Sequence, residues 1–392
     1  MTPPRTILYT GKGGVGKTSV AAATALACAA SGRRTLIVST DPAHSLADSL
    51  QQPIGDQATA AGELLWGLQV DAQRELERHW TGVQSWLGQL LVERGIDRIS
   101  AEEFTVPPGM DELFSLLRLH ELHSCGEWDV IIVDCAPTGE TLRLLSFPDA
   151  ARWWLDKVFP LERAMLAAAP LARSVLDIPL PDGAVFADVN RLSENLVSMN
   201  EILRDTAHAT VRLVMNPDRM VIGEAMRTFT YLNLYGYLTD AVVVNKIFPV
   251  GVGEYFERWR GFQEEQLEQV RSAFAPVPVL SAPYFQQEVI GPEMLARLAA
   301  EVFSEIDDPG AIVHGTITQS IVSDEHGATL RIALPFVEKD EISLKQIGQE
   351  LLVTAAGQRR TIMLPPRLAT LRPTVARYTD GALEISFSRA PN

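Results

Sequence analysis

The residues best suited to chemistry lie in a glycine-rich stretch near the N-terminus. Gly11 is followed five positions later by Gly16, Lys17 and Thr18. Glycines at this spacing let backbone N–H groups point into one concavity, where they bind phosphate oxygens. The lysine neutralises the terminal phosphates, and the threonine hydroxyl is a ligand for Mg²⁺. The spacing predicts a phosphate-binding loop made of Gly11, Lys12, Gly13, Gly14, Val15, Gly16, Lys17, Thr18 and Ser19.

Two aspartates follow apolar runs further along the chain. Asp41 comes after the run at 35–40, and Asp134 ends the run at 129–134. Either aspartate alone could simply cap the next helix. Together with a phosphate loop, they offer one carboxylate for a metal and one for the attacking water. We therefore predict a magnesium-dependent nucleotide hydrolase, with Thr18, Asp41 and Asp134 at the metal and Lys17 among the catalytic residues.

A third candidate feature is the pair Asn245-Lys246 after another apolar run. It resembles the start of the guanine-reading signature Asn-Lys-x-Asp, but Phe248 stands where that signature needs a carboxylate. Guanine recognition is therefore not expected. The residues alone leave open that the asparagine only caps a turn.

The elements that must position these residues alternate between strand and helix. The pattern predicts an α/β fold with a mainly parallel sheet flanked by helices, since ligands of such sheets bind outside the carboxyl ends of the strands. Two stretches, 72–125 and 150–207, are expected to be helical insertions, with a loop at 177–187. The apolar runs predicted as strands are 6–10, 35–40, 129–134, 211–215, 241–245 and 277–280, and the helix after the first is predicted at 17–31.

Beyond residue 308 the pattern changes to short segments with a period of two and turn residues between them. The segments are 329–335, 342–355, 359–365 and 374–388. They predict a separate all-β unit. We therefore expect two domains, at 1–308 and 309–392.

Composition restricts the function further. The formal net charge of −15 argues against a nucleic-acid-binding protein. No run of 18 uncharged apolar residues is present, and the three cysteines are scattered. These features predict a cytoplasmic protein with free thiols.

The phosphate loop, spelled KGGVGKT, resembles the deviant Walker A motif of the ParA/MinD and nitrogenase-iron-protein class. In that class the early lysine, here Lys12, reaches across a dimer to the partner's nucleotide. The resemblance implies a homodimer with a catalytic role for Lys12. The alternative is an ordinary solvated loop lysine.

The strings DPAHS at 41–45 and DCAPTGETLRLLSFP at 134–148 closely resemble the two switch segments of the ArsA / GET-pathway ATPases. The resemblance implies that Asp41 positions or activates water and that Asp134 holds magnesium. It also implies ATP as the substrate, with nucleotide contacts from Pro137, Gly139, Asn245 and Pro283. Cys135 and Glu140 depart from the family's commonest residues, which could alter communication with the client region.

The same resemblance suggests a hydrophobic client, such as a membrane-protein tail or a lipid-like ligand, bound by the helical insertions. Apolar stripes are also typical of an ordinary core, so that alternative stays open. The candidate client residues are Trp153, Trp154, Phe159, Met165 and Leu166. Two other functions compete: an arsenite-pump motor and a MinD-like positioning ATPase. The segment after Lys246 has no Cys-x-x-Cys pair, so zinc is not expected. An iron–sulfur cluster is not expected either, because the surroundings of Cys125 and Cys135 do not resemble those of the iron–sulfur reductases.

Residues 320–389 resemble the α-crystallin domain of small heat-shock proteins. The resemblance rests on LRIALPFVEKDEISLKQIGQELLVTA, IMLP and the A-x-x-x-D-G-A-L string that ends at Leu383. It implies a small β-sandwich. The sandwich either binds clients or only packs against the ATPase body.

Overall fold

A computed structural model describes residues 2–41, 45–93, 110–135, 183–316, 318–323, 327–347, 350–364 and 371–388. In the ranges that it describes, no helix is both long and apolar enough to cross a membrane.

An eight-stranded sheet forms the body of the chain, with the strand order β3-β4-β2-β5-β1-β6-β7-β8. All neighbouring strands run parallel except β3, which is antiparallel to β4. The strands are β1 Arg5–Thr10, β2 Thr35–Ser39, β3 Thr59–Gly62, β4 Leu65–Gln69, β5 Val130–Asp134, β6 Ala209–Met215, β7 Thr239–Ile247 and β8 Val279–Pro283. The mainly parallel sheet confirms the predicted α/β class.

Helices cover both faces of this sheet. They are α1 Lys17–Ala30, α2 Ser45–Leu50, α3 Ala72–Glu93, α4 Met110–Ser124, α5 Gly183–Arg204, α6 Arg219–Tyr235, α7 Glu254–Phe274 and α8 Gly291–Val302. Successive residues of a strand point to opposite faces. Accordingly, Leu8 of β1 joins the hydrophobic cluster beneath α4 to α7, whereas Ile7 and Tyr9 join the cluster beneath α1, α2 and α8.

Three details differ from the sequence-based expectations. The strands β3 and β4 were not predicted, and the strand predicted at 277–280 lies at Val279–Pro283. The predicted loop 177–187 is wrong in its last part, because α5 begins at Gly183. Of the two helical insertions, the structure describes α3, α4 and α5, whereas 94–109 and 136–182 lie outside the described residues.

The C-terminal part is an all-antiparallel β-sandwich, as predicted. One sheet has the order β14-β15-β10-β9, and the other has the order β11-β12-β13. The strands are β9 Gln319–Ser323, β10 Gly327–Ala333, β11 Ser343–Ile347, β12 Glu350–Ala355, β13 Gln358–Met363, β14 Arg372–Thr379 and β15 Ala382–Ser388. Asp380 and Gly381 both have positive φ, at 51° and 69°, which is the backbone of a tight hairpin turn. Only β9 had no counterpart in the sequence-based expectations.

The segment that leads into the sandwich, around Pro309 and Ala311, is hydrogen-bonded to a buried arginine of the parallel sheet. Arg212 of β6 is fully buried and lies 3.2 Å from Asp240. Its guanidinium also donates to the carbonyls of Pro309 and Ala311. A buried arginine is tolerated only when it is paired and hydrogen-bonded in this way.

Candidate functional site

The phosphate loop connects β1 to α1 at the centre of the sheet, where the order of strands reverses. A ligand crevice opens at such a point in doubly wound sheets. Gly16 has φ of 94°, and a Cβ there would collide with the side-chain amide of Asn245. A Cβ on Gly11 would collide with the carbonyl of Val214. Both positions therefore require glycine, for the backbone of the loop and for its close contact with β6 and β7.

Lys17 lies beneath this loop and is only 5% exposed. Its ammonium donates a hydrogen bond of 3.4 Å to the carbonyl of Lys12, on the opposite side of the loop. As the first residue of α1, Lys17 also lies where the positive end of the helix dipole favours anions. The arrangement suits a group of phosphate oxygens.

Hydroxyl groups surround the carboxylate of Asp134 at the end of β5. The hydroxyl of Thr18 donates to Oδ2 of Asp134 over 2.7 Å, and Ser39 at the end of β2 donates to the same oxygen over 3.5 Å. Ser45, the first residue of α2, lies 3.1 Å from the Thr18 hydroxyl. The structure thus brings together Thr18 and Asp134, as the sequence predicts, and adds two serines that the sequence analysis did not assign.

The electrostatics of Asp134 match a cation site. Burial raises the pKa of its carboxyl to about 6, and the hydrogen bond from Thr18 and the charge of Lys17 only partly oppose that rise. Its Oδ1 accepts no hydrogen bond from the described residues. A buried carboxylate with an unused oxygen is a high-energy group unless a cation or donor meets it. Mg²⁺ prefers oxygen ligands and commonly binds one or two side chains plus phosphates, so these residues fit it.

Asp41 lies just beyond the end of β2, the strand that pairs with β5. Its backbone N–H donates to the Ser39 hydroxyl over 3.3 Å, and its charge contributes to raising the pKa of Asp134. Ser39 therefore contacts both predicted aspartates. The rest of the first switch, Pro42, Ala43 and His44, lies outside the described residues.

The end of β7 supports the loop from the other side. The side-chain amide of Asn245 donates to the carbonyl of Val15 over 2.9 Å. The ammonium of Lys246 donates to the carbonyl of Gly14 over 2.8 Å. Both side chains are therefore hydrogen-bonded directly to the phosphate loop. The sequence analysis did not predict a role for Lys246.

A cavity of about 570 Å³ adjoins this pair. Its volume lies in the range of ligand pockets in proteins. It contains four of the predicted nucleotide-binding residues, namely Gly16, Ser19, Asn245 and Pro283. The remaining lining residues are Lys246, Tyr284, Phe285, Gln286, Gln287, Glu288, Val289, Ile290 and Leu298. The cavity begins at the phosphate loop, as a pocket for the base and sugar of a nucleotide would.

Lys12 is not among the residues that line this cavity. Its ammonium lies 3.6 Å from Oε2 of Glu224 in α6, and the two side chains are 38% and 30% exposed. The lysine is therefore at the surface, beside the phosphate loop.

The three cysteines occupy different environments. Cys28 and Cys135 are buried, and burial raises the pKa of the Cys135 thiol to about 12. Cys125 is exposed. Among the described residues, no three histidine, cysteine or acidic side chains lie close enough to form a metal cluster.

Some predicted residues are not placed. Pro137 and Gly139 of the second switch, Glu140, and the candidate client residues Trp153, Trp154, Phe159, Met165 and Leu166 lie outside the described residues. The sequence analysis missed Ser39 and Ser45, for which the sequence contains only a weak indication. Ser39 and Ser45 flank Asp41 in the sequence, at positions where strand-end side chains reach a ligand.

Comparison with known proteins gives two family matches. A model of the anion-transporting ATPase family matches residues 4–304, and a model of the HSP20-like domain found in ArsA matches residues 325–387. A putative arsenical pump-driving ATPase of Chlorobaculum tepidum is 37% identical over 388 residues, covering 98% of this chain and 96% of the relative. A second relative of that name, numbered 1, from Aquifex aeolicus is 36% identical over 396 residues, covering 98% of this chain and 100% of the relative. The ATPase GET3B of Arabidopsis thaliana is 30% identical over 307 residues, covering 72% of this chain and 74% of the relative.

Proposed function

The chain belongs to the anion-transporting ATPase (ArsA) family and is an ATPase, and we propose that nucleotide-driven closure of its homodimer controls a hydrophobic client site. The observation that carries the nucleotide part of this proposal is the contact between Thr18 and Asp134 beneath the phosphate loop. It places a hydroxyl and a buried carboxylate 2.7 Å apart, next to the buried Lys17.

We assign the groups of the site as follows. The loop N–H groups and Lys17 bind the phosphates, and the cavity beside Asn245 and Pro283 holds the base and sugar. Thr18 and Asp134 would hold Mg²⁺, with Asp41 close by. Bound Mg²⁺ supplies charge neutralisation for the phosphate oxygens.

Asp41 is assigned to the attacking water. Its backbone N–H donates to Ser39, which also donates to Asp134, so the Asp41 backbone lies close to the metal-binding side chain. A carboxylate held beside the terminal phosphate can orient a water for in-line attack and accept its proton.

The homodimer is supported by the position of Lys12. Its ammonium lies at the surface rather than beneath the loop with Lys17, so it is available to a nucleotide on another protomer. We propose that closure of two protomers brings each Lys12 to the partner's phosphates.

The hydrophobic client is supported by the layout of the helical region. Helix α3 begins directly after β4, where Oδ1 of Asp71 accepts the N–H groups of Gln73 and Arg74 over 3.1 and 3.2 Å. It therefore starts at the same edge of the sheet as the switch residues Asp41 and Asp134. A change at that edge on nucleotide binding would reach the helices directly, which is what control of a client site requires.

An arsenite-pump motor is the second candidate, because two of the relatives are named as putative arsenical pump-driving ATPases. Soft As(III) requires several converging thiolates. Two of the three cysteines are buried, and only Cys125 is exposed. One chain therefore offers a single accessible thiol, and we favour the hydrophobic client.

The proposal is tested with a synthetic peptide carrying an uncharged apolar segment of about 20 residues. The Asp41→Asn variant, loaded with ATP and Mg²⁺, should bind the fluorescent peptide, whereas the same variant with ADP should bind it at least about tenfold more weakly. A peptide with four aspartates in the segment is the control. Equal affinity with both nucleotides contradicts nucleotide control. ATPase stimulation by arsenite that is lost in Cys125→Ser would favour the pump motor.

A further inference from the structure

Helix α6 connects the nucleotide site to the β-sandwich. It runs from Arg219 to Tyr235, and it carries Glu224 near its beginning and a cluster of sandwich contacts near its end. A helix of this length spans about 25 Å. The same rigid element therefore touches the phosphate-loop lysine and the C-terminal domain.

One face of α6 is buried against the parallel sheet. Ile222, Ala225, Phe229 and Leu232 are each at most 7% exposed and belong to the hydrophobic cluster on that side of the sheet. Their spacing of three and four residues is that of a single helical face. The packing keeps α6 a single rigid element, so its two ends move together.

The end of α6 is held by the sandwich through hydrogen bonds. The hydroxyl of Tyr231 donates to the carbonyl of Ala356 over 3.0 Å, and the hydroxyl of Thr230 donates to the carbonyl of Pro335. Arg360 of β13, which is 3% exposed, donates to the carbonyl of Leu234. A buried cation at the C-terminal end of a helix interacts favourably with the helix dipole.

Apolar contacts strengthen the same junction. Leu234 is fully buried within the hydrophobic core of the sandwich. Phe336 is 39% exposed, and its ring contacts both helices from the sandwich side, with centroids 6.3 Å from Phe229 of α6 and 5.7 Å from Phe274 of α7. Phe336 has φ of 66°, a left-handed conformation that is unfavourable for a bulky side chain. The two ring contacts favour this conformation, because they bring the Phe336 side chain against α6 and α7.

The beginning of α6 holds Lys12. Glu224 and Tyr231 are seven positions apart and so lie on nearly the same stripe of the helix. The pair of Glu224 with Lys12 is 3.6 Å long and partly exposed, so it contributes little to stability. Because the pair is weak, the Lys12 ammonium can leave the Glu224 carboxylate for a phosphate group of higher charge.

We propose that Glu224 is a positioning residue that sets where the Lys12 ammonium lies, and that the β-sandwich acts on the same lysine because it holds the other end of α6. This inference rests on the role proposed above for Lys12 at the nucleotide. Glu224 competes with the phosphates for the ammonium, and the sandwich determines how closely Glu224 approaches it. The C-terminal domain thereby becomes part of the control of ATP binding and hydrolysis.

The test is a double-mutant cycle on the full chain, read out as the dissociation constant of a fluorescent ATP analogue with Mg²⁺. Glu224→Gln removes the competing charge and should tighten binding about threefold, which is within the range of an exposed ion pair. Phe336→Ala, at the junction, should change the constant by at least about twofold in the wild-type background and leave it unchanged in Glu224→Gln. If Phe336→Ala unfolds, Tyr231→Phe takes its place, because it loses only a hydroxyl of the same junction. It should then change the dissociation constant in the wild-type background and not in Glu224→Gln.

Val375→Ala is the matched control, since Val375 is 44% exposed on β14 of the same sandwich. It should change neither the dissociation constant nor the turnover rate. The link is overturned if Phe336→Ala changes the dissociation constant equally in the wild-type and Glu224→Gln backgrounds. It is also overturned if neither Phe336→Ala nor Tyr231→Phe changes that constant. Weaker binding by Glu224→Gln would place Glu224 on the nucleotide instead and also overturn the proposal. Full activity of Lys12→Ala would separately remove the role proposed for that lysine.

Discussion

The hydroxyl of Thr18 donates a 2.7 Å hydrogen bond to Oδ2 of Asp134, across 116 positions of the chain. The contact follows from the sheet, because β1 and β5 are parallel neighbours and both end at the same edge. Thr18 follows the loop after β1, and Asp134 ends β5. The two side chains that would hold Mg²⁺ are therefore positioned before any ligand binds, which lowers the cost of assembling the site.

Replacing Thr18 by valine should lower ATP turnover by about 100-fold, because the isosteric side chain cannot bind magnesium or donate to Asp134. Steady-state ATP hydrolysis at saturating Mg²⁺ measures this. Thr18→Ser retains the hydroxyl and is the matched control, with turnover within about threefold of wild type. A valine variant as active as the serine variant would show that the hydroxyl is not part of the site.

The raised pKa of Asp134 predicts how stability depends on pH in the absence of magnesium. Burial raises this pKa from 3.8 to about 6, so the folded chain holds the proton more tightly than the unfolded chain. The resulting stability is complete below pH 4 and is lost as the pH rises through about 6. Asp134→Asn stays neutral and avoids this loss, so it should stabilise the magnesium-free protein at pH 8 by roughly 3 kcal/mol or less.

Thermal unfolding with a chelator, compared at about pH 4.5 and pH 8, measures that effect, because most of the change falls between the two pKa values. The advantage of Asp134→Asn should grow with pH, while its ATPase activity should be lost. A variant that is less stable than wild type at both pH values would contradict the assigned environment of Asp134.

The sequence predicted the central strands because their signal is strong. The runs at 35–40 and 129–134 have continuous apolar centres, at 36–38 and 130–133, as is typical of strands buried on both faces, and they lie at the middle of the sheet. Strand β3, with the sequence TAAG, has little β propensity, and β4 contains a glycine. β3 depends on pairing with β4 rather than on local preference, whereas the apolar residues around β4 were a signal that its glycine weakened.

The sequence likewise predicted some residues of the site and missed others. Gly11, Lys17 and Thr18 lie within one short motif, and their spacing alone indicates phosphate binding. The contact of Lys12 with Glu224 joins residues from distant parts of the chain through an exposed pair, for which sequence has no signal. The shared contact of Ser39 with both aspartates likewise depends on the geometry at the ends of β2 and β5.

Asn245 should determine both nucleotide affinity and the shape of the phosphate loop. Its amide donates to the carbonyl of Val15 while its side chain lines the cavity. Asn245→Ala should raise the KM for ATP about tenfold, because a buried carbonyl loses its donor and the cavity loses a polar group. Asn195→Ala, on α5, is the control and should leave KM unchanged. An unaltered KM in Asn245→Ala would assign the residue to a turn cap.

Metal removal separates magnesium from zinc. EDTA should abolish ATP hydrolysis, and Mg²⁺ alone should restore it fully, because oxygen groups of Thr18 and Asp134 form the proposed site. 1,10-Phenanthroline, which binds zinc and other transition metals but not Mg²⁺, should leave turnover unchanged while Mg²⁺ is present. Loss of activity with that chelator, reversed by Zn²⁺, would contradict the expectation that no zinc is bound.

The central claim is that a homodimer closes on ATP and that Asp41 then drives hydrolysis. The most direct measurement is the mass of Asp41→Asn in solution by light scattering, with ATP and Mg²⁺ or with ADP, combined with its turnover. The account predicts a particle of twice 43.0 kDa that retains uncleaved ATP, with Lys17→Ala binding no nucleotide. Hydrolysis at the wild-type rate by Asp41→Asn, or a 43.0 kDa monomer with ATP bound, would contradict it.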